Sequence, residues 1–109
     1  MQRIKLIPIE TVLEMRENKD DFMLVDVMSV DSFQEGHIPG ACNIPLSTNE
    51  EKIIQGMDKN KSLVVYCACY HCTASSDAAR RFQELGFTNV FDYKAGKQGW
   101  QSAGLELEK

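Results

Sequence analysis

The segment from Leu63 to Phe82 constrains the fold more than any other part of the chain. Leu63, Val64, Val65 and Tyr66 form an apolar, β-branched run that stops at Cys67, and a helical pattern begins a few residues later. That order reads as strand, tight loop, helix. Cys67 then lies at the carboxyl end of a strand. In open α/β sheets this is the edge where ligands bind, because loop amides and the N-terminus of the next helix converge there. Three of the four cysteines, Cys67, Cys69 and Cys72, fall in this segment.

The flanking sequence supplies the rest of an α/β alternation. Arg3 to Ile7 predicts an edge strand, and Ile9, Val12, Leu13 and Arg16 have helical spacing after Pro8. Phe22 to Val27 is nearly all apolar and suits a central strand covered on both faces, with Asp26 interrupting it near the end. Val30 to Gln34 predicts a short helix or turn, followed by the turn Gly36-His37-Ile38-Pro39-Gly40-Ala41 and a short strand over Cys42 to Leu46. Asn49 to Met57 has a helical stripe of Ile53, Ile54 and Met57. Ala78, Ala79, Phe82 and Leu85 space out a second strong helix, with Thr73 or Ser75 able to cap its start and Gly86 placed as its C-terminal cap. Asn89 to Tyr93 predicts the last strand, Gly96, Gly99 and Trp100 a final helical turn, and the tail from Leu105 is short and charged. Alternating strands and helices favour a mostly parallel sheet with helices on both faces. At 109 residues the expectation is one domain spanning 1–109.

A net charge of −4 without a basic run argues against a nucleic-acid or anionic-membrane partner. No apolar run has bilayer length, and the start carries charge without a signal-like apolar stretch, so the expected location is cytoplasmic. Clustered thiols in a reducing compartment are catalytic, redox-active or metal-binding more often than they are a disulfide framework. One short loop holding Cys67, Cys69, His71 and Cys72 is a poor structural zinc site, which usually draws on two separated ligand pairs, so no metal is expected.

These residues resemble the rhodanese-like domain family over nearly the whole chain. Asp26-Val27 with Phe33, Gly36 to Ala41 and Asn43-Ile44-Pro45 resembles its first signature. Val64-Val65-Tyr66-Cys67 with Ala78-Ala79 resembles its active-site segment, and Gly96 with Trp100 its closing motif. The resemblance implies a three-layer α/β sandwich around a five-stranded, mainly parallel sheet. It also implies a sulfurtransferase without a cofactor, in which a cysteine takes sulfane sulfur from a donor such as thiosulfate and passes it, as a persulfide, to a thiol or protein acceptor. Cys67 takes the place of that nucleophile, Cys72 that of a resolving or relay thiol, and Ala68, Cys69, Tyr70, His71 and Thr73 line the substrate loop.

Three features depart from the family pattern. The loop is about two residues longer than usual, so counting back from Ala78-Ala79 selects Cys69 as nucleophile; Cys67 is preferred because insertions are tolerated better in loops than in buried strands. Ala68 to Ala74 contains no Arg or Lys, and Thr73 stands where the phosphatases and arsenate reductases of this fold have their arginine, which disfavours phosphoryl transfer. Met28 replaces an arginine commonly found after Asp-Val. Two rival readings remain, a thiol redox module cycling Cys67 with Cys72 or Cys69 and a non-catalytic interaction domain. His37, Asp26 and Trp100 are expected to be structural, and Cys42 a small apolar residue at a strand start.

Overall fold

The computed structural model describes residues 4–19, 21–45, 57–68 and 73–109. Its elements are β1 (Lys5–Leu6), α1 (Ile9–Glu17), β2 (Phe22–Asp26), α2 (Val30–Glu35), β3 (Cys42–Asn43), β4 (Ser62–Tyr66), α3 (Ala74–Glu84), β5 (Val90–Asp92) and α4 (Gly96–Ser102). The five strands lie in the order β1-β5-β4-β2-β3, and every pairing is parallel. The helix expected over Asn49 to Met57 lies almost wholly outside the described residues, as does the end of the strand expected over Cys42 to Leu46.

β4 is central because nothing in it needs water: Leu63, Val64, Val65 and Tyr66 are all fully buried. Alternation divides them between two layers. Leu63 and Val65 pack with Ala78, Ala79 and Phe82 of α3, whereas Val64 and Tyr66 pack with Val12 of α1 and Trp100 of α4. The strand order accounts for this placement. The β1-to-β2 and β4-to-β5 connections run in opposite directions across the sheet, and right-handed crossovers then put α1 and α3 on opposite faces.

α3 starts at Ala74 with Thr73 at its N-cap, as the sequence suggests, but neither expected hydroxyl caps it. Thr73 is itself in a helical conformation and makes no side-chain cap bond, and Ser75 is turned inward and fully buried. Gly86 does end the helix. Its φ of 107° lets its N–H reach the Gln83 carbonyl in the left-handed conformation that glycine adopts most readily.

The tail from Leu105 is more than the charged end its composition suggests. Leu105 and Leu107 pack on the α1/α4 layer, and Trp100 Nε1 donates to the Glu106 carbonyl at 3.0 Å. His37 and Glu108 exchange backbone hydrogen bonds at 2.9 and 2.8 Å. His37 is structural, as expected: its ring stacks on Phe33, Nδ1 donates to the Phe33 carbonyl at 3.0 Å, and Nε2 lies 3.2 Å from Glu108 Oε1. The same carboxylate accepts from Gly40 N at 2.9 Å.

The Gly40 N–H holds the Glu108 carboxyl below its ordinary value of 4.5; desolvation opposes it, and His37 and then Arg16 add to the lowering. A carboxyl with a lower pKa in the folded state stabilises the fold above its unfolded value and loses that contribution as the pH falls through the folded one. Glu108→Gln should therefore lower Tm at pH 7, and the gap to the unsubstituted protein should narrow as the pH falls below the ordinary value of 4.5, in a thermal denaturation series across pH.

Candidate active site

All strands run the same way, so their carboxyl ends share one edge. From β2 the chain proceeds through α2 to β3, and from β4 it proceeds the other way through α3 to β5. Adjacent strands whose connections diverge leave a crevice at that edge, and here it lies between β2 and β4. Cys67 follows β4 at this point and is fully buried, with Val65, Ala78, Ala79 and Phe82 in the same cluster.

The chain beyond Cys67 is held from behind by α4. This helix has no side-chain cap. Its first-turn amides, which have no partner within the helix, donate instead to the end of β4: Lys97 N to the Cys67 carbonyl at 3.0 Å and Gln98 N to the Ala68 carbonyl at 2.9 Å. Such close approach requires Gly96. Its φ is 61°, and a Cβ there would overlap the Cys67 carbonyl oxygen.

On the α1/α4 face of the crevice, Asp26 is fully buried and satisfied on both oxygens. Met28 N donates to Oδ1 at 2.8 Å and the Tyr66 hydroxyl to Oδ2 at 3.0 Å, while Lys97 Nζ lies 3.6 Å from Oδ2. Tyr66 is the register partner of Asp26, and its hydroxyl oxygen accepts from Ile38 N at 3.0 Å. Burial first, and then the Asp26 charge, push the Tyr66 hydroxyl far above its usual range, so it remains a donor at any physiological pH. Lys97 also donates to the Ser32 carbonyl at 2.9 Å. Asn43 Nδ2 closes the network on the carbonyls of Asp26 and Met28, both at 2.9 Å. Asp26 is thus the expected anchor, and its cation comes from Lys97 although Met28 occupies the arginine position.

The α3 face carries a second polar group. Asp92 is fully buried at the end of β5, and its Oδ2 accepts from Ser76 Oγ at 2.7 Å. Lys94 Nζ donates to the same hydroxyl at 3.2 Å. Ser75 Oγ and Asp92 Oδ1 are buried without a hydrogen-bond partner among the described residues.

Of the residues singled out from sequence, Cys67 and Ala68 sit together at the end of β4 and Thr73 is exposed at the start of α3. Cys69, Tyr70, His71 and Cys72 lie outside the described residues. Cys42 is half-buried at the start of β3, and burial raises its thiol pKa. Tyr66, Ser76, Asp92, Lys94 and Lys97 escaped the sequence reading. The one signal for Lys97 is its place directly after Gly96, since a buried aspartate requires a cation from some neighbouring segment.

A parallel α/β sandwich with a buried cysteine at its carboxyl edge, locked by a glycine-led helix, is the arrangement of rhodanese-like domains, and the chain belongs to that family: the model of the Rhodanese-like domain matches residues 9–103. The chain is 33% identical over 103 residues to the thiosulfate sulfurtransferase GlpE of Shewanella oneidensis, covering 94% of this chain and 98% of that one. It is 31% identical over 94 residues to the HTH-type transcriptional regulator Rv0324 of Mycobacterium tuberculosis, which spans 86% of this chain but only 41% of the regulator. The BH2092 protein of Bacillus halodurans superposes with a TM-score of 0.86 at 27% identity, over 95% of this chain and 76% of that one.

Substitutions at Lys97, Asp26 and Gly96 test the geometry. Lys97→Met strands a buried carboxylate and should cost about 3 kcal/mol in denaturant unfolding, while the double variant with Asp26→Asn should cost less than the sum of the singles. Gly96→Ala should cost about 2 kcal/mol or more, because it combines an unfavourable φ with loss of the two α4 amide contacts.

Proposed function

We propose that this protein is a sulfurtransferase with Cys67 as its nucleophile. The observation that carries the reading is the position of Cys67, at the carboxyl end of the central strand, with its carbonyl held by α4 and its side chain packed against the first turns of α3. The full-length match to a relative named thiosulfate sulfurtransferase supports the same chemistry.

The Cys67 thiolate attacks the outer sulfur of a donor such as thiosulfate. A new S–S bond forms at Sγ, the donor's own S–S bond breaks, and its electron pair leaves with sulfite. The negative charge of the thiolate passes to the terminal sulfur of the persulfide, so charge balances. An acceptor thiolate, on a small molecule or a protein, then attacks that terminal sulfur and restores the Cys67 thiolate. Cys72, Cys69, Tyr70 and His71 belong to this reading as the substrate-loop residues, with Cys72 as a second thiol to take the sulfur on. Ala68 and Thr73 bracket that loop. The chemistry needs a reduced thiol, which a cytoplasmic setting provides.

Intact mass spectrometry after brief exposure to thiosulfate or inorganic polysulfide tests the proposal. The reduced protein should gain one sulfur, about 32 Da, and so should Cys69→Ser and Cys72→Ser, whereas Cys67→Ser should gain none. A gain lost only in Cys69→Ser would transfer the role to Cys69. No gain with either donor, together with loss of two hydrogens under oxidant, would replace sulfur transfer with a dithiol redox function.

A further inference from the structure

The second half of the sulfur transfer meets an electrostatic obstacle: an acceptor thiolate must approach a persulfide that already carries a negative charge. A cation on the acceptor itself offsets that repulsion, provided the protein holds it at the sheet edge. The α2 side of the crevice offers such a hold. A hollow of about 240 Å³ opens there, lined by Met28, Ser32, Glu35, Gly36, Lys97 and Leu107. Hydrogen bonds tie two of its walls to the chain around Cys67. Val27 N donates to the Tyr66 carbonyl at 3.1 Å, which carries the β2–β4 pairing one residue past Asp26 and Tyr66 and leaves Met28 next in line. Lys97 N donates to the Cys67 carbonyl at 3.0 Å. On another side Leu107 of the docked tail closes on Gly36, where a Cβ would stand 3.1 Å from Leu107 Cδ1. The bonds from the tail to Trp100 and His37 keep that wall in place.

The charges of this hollow do not cancel. Lys97 Nζ lies 3.6 Å from Asp26 Oδ2 and donates to the Ser32 carbonyl at 2.9 Å, so this ammonium and the buried aspartate neutralise each other. Met28, in the position where arginine is common, adds no charge. Glu35 is left over. It is exposed and has no hydrogen bond or ion pair among the described residues. It is also the last residue of α2, an end where the helix dipole favours a cation and where the final turn holds no basic residue. Ser32 stands three residues before it, on the same face of the helix. The hollow therefore combines a surplus carboxylate with the apolar surface of Met28 and Leu107, which suits a short carbon chain ending in a cation.

We propose that this hollow binds the ammonium group of the sulfur acceptor, and that Glu35 selects low-molecular-weight aminothiols. The proposal rests on the sulfurtransferase reading and narrows its acceptor. The aminothiol's thiolate attacks the terminal sulfur of the Cys67 persulfide. A new S–S bond forms on the acceptor, the S–S bond at Cys67 breaks, and its electron pair returns to Sγ. The terminal sulfur keeps its negative charge and leaves on the acceptor as a new persulfide. Glu35 holds the ammonium throughout and exchanges no proton with it.

Steady-state transfer from thiosulfate to small thiols tests this on the full chain. Cysteamine and 2-mercaptoethanol share one carbon chain and differ in an ammonium against a hydroxyl. The ratio of their kcat/KM values, compared between proteins, removes the thiols' own reactivity. Glu35→Gln should lower that ratio about fivefold, the scale of an exposed charge pair, and Glu35→Lys should turn the preference towards 3-mercaptopropionate. Added salt should lower the ratio in the original protein and leave it nearly unchanged in Glu35→Gln. Equal Tm values for the three proteins would exclude a folding effect. A ratio in Glu35→Gln within about 1.5-fold of the original overturns the proposal. Titration with ethylammonium chloride, against sodium chloride at equal ionic strength, separates this failure from failure of the sulfurtransferase reading. If the protein accepts no sulfur, yet ethylammonium shifts the amide resonances of Ser32 and Gly36 in the original protein and not in Glu35→Gln, the cation site stands and the reaction does not. Shifts that are absent, or equal in both proteins, overturn the cation site as well.

Discussion

The two hydrogen bonds from the first turn of α4 to the carbonyls of Cys67 and Ala68 hold the functional edge together. A strand that ends in a sheet interior leaves carbonyls without ladder partners, and a helix that begins without a capping side chain leaves amides without acceptors. Here each deficit satisfies the other, and only a glycine at position 96 lets the backbones come close enough. α4 then carries Lys97 to Asp26 and Trp100 to the tail, so the position of Cys67, the neutralisation of a buried carboxylate and the docking of the chain end depend on one contact.

The site's polar groups are divided by the sheet. On one face, Asp26, Tyr66, Lys97, Asn43 and the Ile38 and Met28 amides form a closed network whose members are all satisfied, as a buried ionic group requires to be tolerated. It fixes geometry. On the other face, Asp92, Ser76 and Lys94 form a chain that runs from a fully buried carboxylate to a half-buried lysine. Lys94 lies in the turn after β5 and Lys97 in the first turn of α4, so lysines three residues apart serve opposite faces of the sheet.

The same distinction between local pattern and distant partner explains what could be read in advance. The strands at Phe22 and Leu63, the α3 helix with its Gly86 stop, and the cysteine at the strand end announce themselves through periodicity and turn chemistry, which act within a few residues. Thr73 and Ser75 show the limit of such reasoning: both are capping residue types at the right place, but Ser75 is drawn inward with Ala78 and Ala79, and Thr73 takes a helical conformation that aims no oxygen at the free amides. The tail misled composition in the same way. Its charges conceal Leu105 and Leu107, and the partner of Glu108 is His37, a contact that no local pattern encodes.

By itself the sequence determined the α/β class, the order of its elements and the placement of Cys67 at a sheet edge, because hydrophobic period and glycine positions are local properties that survive without knowledge of the fold. Only the tertiary structure decided which cations serve which carboxylates. Asp26 meets Lys97, and Asp92 meets Lys94 through Ser76, because strand order and crossover hand bring β2, β4, β5 and the first turns of α3 and α4 to one edge. A buried charge fixes the need for a partner; the path of the chain fixes which residue answers it.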